Sequence, residues 1–132
     1  MKQFGLSAKE RIKSKKEFDV VYSAGQAFYS SSNKLKAVVL IQKETEEAVL
    51  KTAFAVSRKS GNAVWRNRVK RLLRESFRFN KQNLKSIVEL NKIKLFVVLS
   101  PNTINQKNNK KIVLSDLQTD VIDLLNQIKV KL

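Results

Sequence analysis

The stretch Ser57-Arg58-Lys59-Ser60-Gly61-Asn62-Ala63-Val64-Trp65-Arg66-Asn67-Arg68-Val69-Lys70-Arg71-Leu72-Leu73-Arg74-Glu75-Ser76-Phe77-Arg78 holds eight basic residues and one acid. Gly61-Asn62 punctuates the chain, and the residues after it predict a helix over 63–79. At about 100° per residue, Lys70, Arg74, Arg78, Arg71 and Arg68 fall between about 40° and 200° from Arg66. Leu72, Trp65, Ser76, Val69, Leu73 and Phe77 fill the complementary arc, so this helix is divided lengthwise into a cationic and an apolar side. Val64 is the one apolar residue on the charged side. A solvated helix face mixes signs, whereas Arg66, Lys70, Arg74 and Arg78 form an i, i+4 row of like charge that repels itself by a few tenths of a kcal/mol per contact. Such a row calls for an external counter-charge, and a phosphate backbone supplies one. Arginine outnumbers lysine there, which favours bidentate phosphate contacts and stacking.

Outward from this helix the pattern predicts one α+β domain over residues 1–132, in the order helix, strands, helix, strand, helix, with the helices packed on a sheet. Residues 1–14 read as a basic arm carrying Lys9, Arg11 and Lys13 that orders on a partner. Ser14-Lys15-Lys16-Glu17 is a capping-box pattern and Gly25 a stop signal, which predicts a first helix over 15–24 with Phe18, Val21 and Tyr22 on one face. A polar turn at 30–33 precedes strands over 35–42 and 48–57. Leu84 to Leu90 predicts a short helix, and 93–100, nearly continuous in apolar residues, a strand buried on both faces. After a polar loop over 102–111, Ser115 is the expected N-cap of a last helix carrying Leu117, Val121, Leu124, Leu125 and Ile128.

The whole chain of 132 residues has 27 Lys plus Arg against 11 Asp plus Glu, a formal charge of +16, with no His and no Cys. That composition excludes disulfides, thiol nucleophiles, imidazole bases and zinc sites built on these ligands. An excess of this sign and size points to a polyanionic partner. Apolar runs reach five residues, far short of the roughly 20 that span a bilayer. Lys9, Glu10, Arg11 and Lys13 interrupt any apolar export segment, so a cytoplasmic location is expected, with no membrane and no disulfide partner.

Gly61-Asn62-Ala63-Val64, one residue, then Arg66-Asn67-Arg68-Val69-Lys70-Arg71-Leu72-Leu73-Arg74 resembles the signature helix of the bacterial ribonuclease P protein subunit. Arg11-Ile12-Lys13, Glu17-Phe18, Tyr22 and Gly25 are similar to that family's first segment, and Phe54-Ala55-Val56-Ser57-Arg58-Lys59 to its strand before the signature. The resemblance implies an α/β sandwich with a left-handed β-α-β crossover around the signature helix. It implies a protein without catalytic residues or a cofactor of its own. The partner RNA would hold the magnesium ions and cleave the 5′ leader from precursor tRNA. By motif position Arg66, Asn67, Arg68, Lys70, Arg71 and Arg74 would face RNA, and the helical wheel adds Arg78. Phe18 and Tyr22 would line a leader cleft, with Arg58 and Lys59 at its rim. Single-stranded nucleic acid is held by aromatic faces over a positive groove, which suits these residue types.

One departure concerns the first strand, where the family often carries a cleft aromatic and this chain reads Lys34-Leu35-Lys36-Ala37-Val38-Val39-Leu40. Tyr29 or Phe28 from the preceding loop is the candidate replacement, and the alternative is that Lys34 and Lys36 contribute charge instead. Phe18 is equally readable as core, Tyr22 is expected exposed, and Trp65 is expected buried. Two other functions compete: a ribosomal or general structured-RNA binder, and a protein nuclease using Asp116, Asp120 and Asp123. Asp116 and Asp120 share a helix face, but acids at a helix start are explained by the helix dipole.

Overall fold

The computed structural model describes residues 10–132. In chain order these form α1 (Lys15–Ala24), β1 (Gln26–Tyr29), β2 (Leu35–Gln42), β3 (Val49–Phe54), a 3-10 turn (Arg58–Ser60), α2 (Ala63–Asn80), α3 (Gln82–Asn91), β4 (Lys94–Pro101) and α4 (Leu114–Lys131). The sheet order is β1-β2-β4-β3, antiparallel except where β3 and β4 run side by side in parallel. Parallel neighbours need a crossover, and α2 with α3 supplies it.

Successive side chains of a strand point to opposite faces, so the register sorts the residues. On one face Phe28, Leu35, Ala37, Val39, Leu50, Leu95, Val97 and Leu99 meet Trp65, Val69, Leu73 and Phe77 of α2, Leu84 and Val88 of α3, and Leu117, Val121, Leu124 and Leu125 of α4. Leu73 and Phe77 are fully buried, and each such side chain contributes about 1.5–3 kcal/mol. The other face packs Val38, Ala53 and Val98 against Val21 of α1 and Ile12 before it. The predicted apolar arc of α2 is the arc that is buried, all six residues of it.

Helix α1 has its expected bounds. Ser14 Oγ accepts from the Glu17 amide at 3.1 Å. Gly25 ends the helix by close approach rather than by a left-handed turn: its φ is −83°, and a Cβ there would lie 2.3 Å from the Val21 carbonyl oxygen and 2.9 Å from that of Val39.

Four expectations are corrected. Strand β1 lies where no element was expected. Four residues are too short to show a period, and they are held by pairing along Val39 to Lys36. The strand expected over 48–57 stops at Phe54, and Arg58–Ser60 turns into the 3-10 segment that redirects the chain into α2. Helix α4 is capped by Val113 and not by Ser115: the Asp116 carboxylate accepts from the Val113 amide at 2.8 Å, so the first turn is closed from inside the helix. Finally, residues 10–13 of the arm are already docked. Arg11 bridges Thr52, the Ile12 amide donates to the Thr52 carbonyl at 3.0 Å, and Lys81 Nζ donates to Glu10 Oε2 at 2.6 Å. Lys9 lies outside the described residues.

Candidate nucleic-acid interface

The charged side of α2 is an open trough of about 590 Å³ lined by Val64, Asn67, Arg68, Lys70, Arg71 and Arg74. Asn67, Arg68, Arg71 and Arg74 are exposed, whereas Arg66, Lys70 and Arg78 are half-buried. Asn62 fixes where the helix starts, its side chain accepting from the Trp65 amide at 2.9 Å. The arginines are aimed by neighbours. The Arg74 guanidinium lies 5.9 Å over the Phe54 ring, which meets Phe77 edge-on at 6.0 Å. Arg68 Nε donates to the Ile112 carbonyl at 2.8 Å, leaving the outer edge of its guanidinium to solvent. Arg66 Nε is buried with no hydrogen-bond partner among the described residues, a cation drawn to the helix border and incompletely satisfied.

The loop from Asn102 to Val113 fastens the start of this helix. Gln106 donates its amide to the Ser60 carbonyl at 2.7 Å and accepts from the Asn62 amide at 2.8 Å. Trp65, buried as expected, donates its indole N–H to the Asn109 carbonyl at 2.9 Å. Gly61 is needed for this packing, because a Cβ there would sit 2.8 Å from the Trp65 ring and 2.9 Å from Gln106 Cβ. Sequence reading missed all of these anchors, since they join residues 44 to 46 positions apart.

The second feature is the surface that α1 forms with the opposite face of the sheet. Phe18 and Tyr22 stack nearly parallel, 6.4 Å between centroids and 18° between planes. Phe18 is half-buried against the second core cluster, so it serves packing and surface together, while Tyr22 is 49% exposed. Partial burial pushes the Tyr22 phenol above its ordinary 10.0, which keeps the hydroxyl neutral and able to donate. By register Tyr29, Lys36 and Ser100 form a row on this same face, one step beyond Ala27, Val38 and Val98. Of the two candidate aromatics, Tyr29 lies on this face, 47% exposed and opposite Lys36, whereas Phe28 points into the core. Arg58 and Lys59 are exposed on the 3-10 turn joining β3 to α2. Arg11 and Lys13 are exposed just before α1.

The acids weighed as metal ligands are otherwise engaged. Asp120 accepts from Ser32 Oγ at 2.5 Å, and Asp123 from the Ser31 amide at 2.6 Å and its hydroxyl at 3.0 Å. The Ser31 amide, first among these donors, holds the Asp123 carboxyl below its ordinary value. These bonds pin the β1–β2 turn onto α4. Among the described residues no three His, Cys, Asp or Glu side chains gather as a metal site requires.

A four-stranded sheet with a self-repelling cationic helix on one face and exposed aromatics on the other has the features of an RNA-binding α+β protein. The family model described as Ribonuclease P matches residues 6–128. The ribonuclease P protein component of Geotalea uraniireducens is 32% identical over 128 residues, 97% of this chain and 98% of that protein. That of Clostridium acetobutylicum is 32% identical over 117 residues, 89% and 87% of the two chains. In three dimensions the Staphylococcus aureus RNase P protein matches with a TM-score of 0.67 at 23% identity, covering 92% of this chain and 96% of that one. The RNase P protein from Thermotoga maritima gives 0.67 at 19%, covering 89% and 96%. The chain belongs to the ribonuclease P protein component family. It assists the RNA subunit of that ribonucleoprotein in tRNA 5′ processing.

Proposed function

We propose that the chain binds the RNA subunit through the α2 face and holds the single-stranded leader of precursor tRNA in the α1 cleft. Arg66, Asn67, Arg68, Lys70, Arg71, Arg74 and Arg78 contact the RNA subunit. Phe18, Tyr22 and Tyr29 offer faces to leader bases, while Lys36, Arg58 and Lys59 meet its phosphates, and Arg11 and Lys13 extend the positive rim. In this reading the RNA would carry the catalysis and hold the magnesium ions that supply its metal chemistry, while the chain contributes position and charge, and no catalytic residue. Of the carboxylates weighed as metal ligands, Asp120 and Asp123 are bonded to serines of the β1–β2 turn and Asp116 to the Val113 amide. The reading places the protein in the cytoplasm with its RNA.

The observation that carries the reading is the row of like charges on α2, opposite an arc that is wholly buried. Each phosphate contact contributes roughly 0.7–0.9 to the slope of log affinity against log salt. Arg66→Ala with Arg71→Ala is expected to lower that slope by about 1.4–1.8 in titrations of the RNA subunit. An unchanged slope removes α2 from the interface. For the cleft, the purified holoenzyme is expected to bind precursor tRNA more tightly than mature tRNA, increasingly so as the leader lengthens across the cleft. Equal affinities reject the leader assignment and favour a general structured-RNA binder.

A further inference from the structure

The loop 102–113 has twelve residues without a regular element, a length at which loops in compact domains are usually either functional or disordered. This one is ordered. Ile104 and Ile112 are buried in the main core. The Asn108 amide donates to Asn105 Oδ1 at 2.9 Å and the Asn109 amide to the Asn105 carbonyl at 2.7 Å. Between these anchors the loop carries Lys107, Lys110 and Lys111 and no acid. All three lysines are exposed, and none has a hydrogen bond or ion pair among the described residues. A polar recess of about 240 Å³ opens beside Lys110 and Lys111, with Lys34 on its far wall. The acid at this recess, Asp116, is turned to the Val113 amide at 2.8 Å.

We propose that this loop is a second contact surface for the RNA subunit, continuous with the α2 face, on which Lys107, Lys110 and Lys111 grip phosphates. This rests on the assignment of α2 to that RNA. A loop tied to α2 through Gln106, Asn109 and Ile112 moves with Trp65 and Arg68, so the lysines and the arginines form one rigid cationic sheet. Preorganisation of this kind lowers the ordering cost of each contact. The patch has the chemistry of a polyphosphate backbone and not of a base-specific site: three ammonium groups, no aromatic and no buried donor. Sequence position alone hides it, because the lysines read as the solvated decoration of a loop.

The test replaces Lys107, Lys110 and Lys111 together by Gln in the full chain and measures binding to the RNA subunit across a salt series. Arg66→Ala with Arg71→Ala is titrated alongside it. The proposal expects the salt slope of the triple variant to fall by about 2–3, with an unchanged melting temperature. It further expects precursor and mature tRNA to be affected alike once holoenzyme is formed, since the cleft is untouched. If the α2 variant lowers the slope and the loop variant does not, the loop proposal is overturned while the α2 assignment stands. If neither lowers it, the α2 assignment itself fails. A loop variant that keeps full RNA-subunit affinity but loses substrate tRNA or binds an acidic protein less well also overturns the proposal, because the lysines then serve another partner. Gln106→Ala gives a second reading: with all charges intact but the tether cut, affinity is expected to fall with little change in slope.

Discussion

Lys81 closes α2 and opens α3 with a side chain only 1% exposed, and its ammonium is bonded to Glu10 at 2.6 Å. Removing one partner of a buried ion pair strands the other, which costs about 3–5 kcal/mol. Glu10 keeps 18% of its side-chain surface, and both residues make further contacts, so the lower end applies. Glu10→Ala is therefore expected to destabilise the protein by about 3 kcal/mol, which for a chain of this length lowers the melting temperature by about 9–15 °C. Lys81→Met is expected to be milder, because Glu10 turns to water once the cation is gone. The double variant Glu10→Ala, Lys81→Met is expected to regain most of the loss, a buried pair being replaceable by an apolar group of similar volume. Thermal unfolding followed by circular dichroism on the four proteins completes the cycle. If Glu10→Ala melts within about 2 °C of the parent, or the double variant is no better than Glu10→Ala, the arm is not held by this pair and the reasoning fails.

Four further outcomes are expected. Tyr22→Ala and Tyr29→Ala should each weaken holoenzyme binding to precursor tRNA by about 5- to 150-fold, the equivalent of about 1–3 kcal/mol of base stacking, and leave mature tRNA unaffected. Equal losses on both substrates would contradict the cleft. Gly25→Ala should cost about 1–3 kcal/mol in denaturant unfolding, since its Cβ meets two backbone oxygens; a neutral result would show that the helix end relaxes freely. Glu17 is held below its ordinary 4.5, first by its bond to Lys51, and Asp123 below its ordinary 3.8. The native state thus binds fewer protons than the unfolded one in that range, so stability should be complete above about pH 5 and fall as acid is added. Glu17→Gln should flatten that acid limb by under about 1 kcal/mol, because the pair is partly exposed, and an unflattened limb would refute the assignment. Trp65→Phe keeps an aromatic ring but loses the bond to Asn109 and part of the buried indole volume, and should cost about 2–3 kcal/mol while weakening RNA-subunit binding; unchanged stability would show that the loop is held elsewhere.

Much of this was legible because its signals are local. Ser14 and Gly25 bound α1, Leu35–Gln42 is a strand by composition, and the division of α2 follows from a period repeated over 18 residues. What escaped depends on partners far along the chain. Strand β1 exists through β2. Asp120 and Asp123 declare their role only when Ser32 and Ser31, 88 and 92 positions earlier, come into reach. Lys81 reads as one more surface cation until Glu10 covers it. The cleft was half legible: Phe18 and Tyr22 stand on a visible helix face, but choosing Tyr29 over Phe28 required a register that sequence does not print. Arg68 was read from the sequence only as a residue facing RNA, and its bond to the Ile112 carbonyl was missed.

The anchoring of α2 by the loop 44 residues downstream also orders events during synthesis. A chain growing at about 5–20 residues per second has the whole cationic helix, complete at Asn80, for about 1.5–6 s before Asn109 and Ile112 exist to fasten it. A nascent chain ending at Pro101 holds every arginine of the interface and none of the bonds from Gln106, Asn109 and Ile112. Its cationic helix is made before its anchors and is fastened only when the last fifth of the protein emerges. Affinity for phosphate is thus present from the start, and shape arrives late.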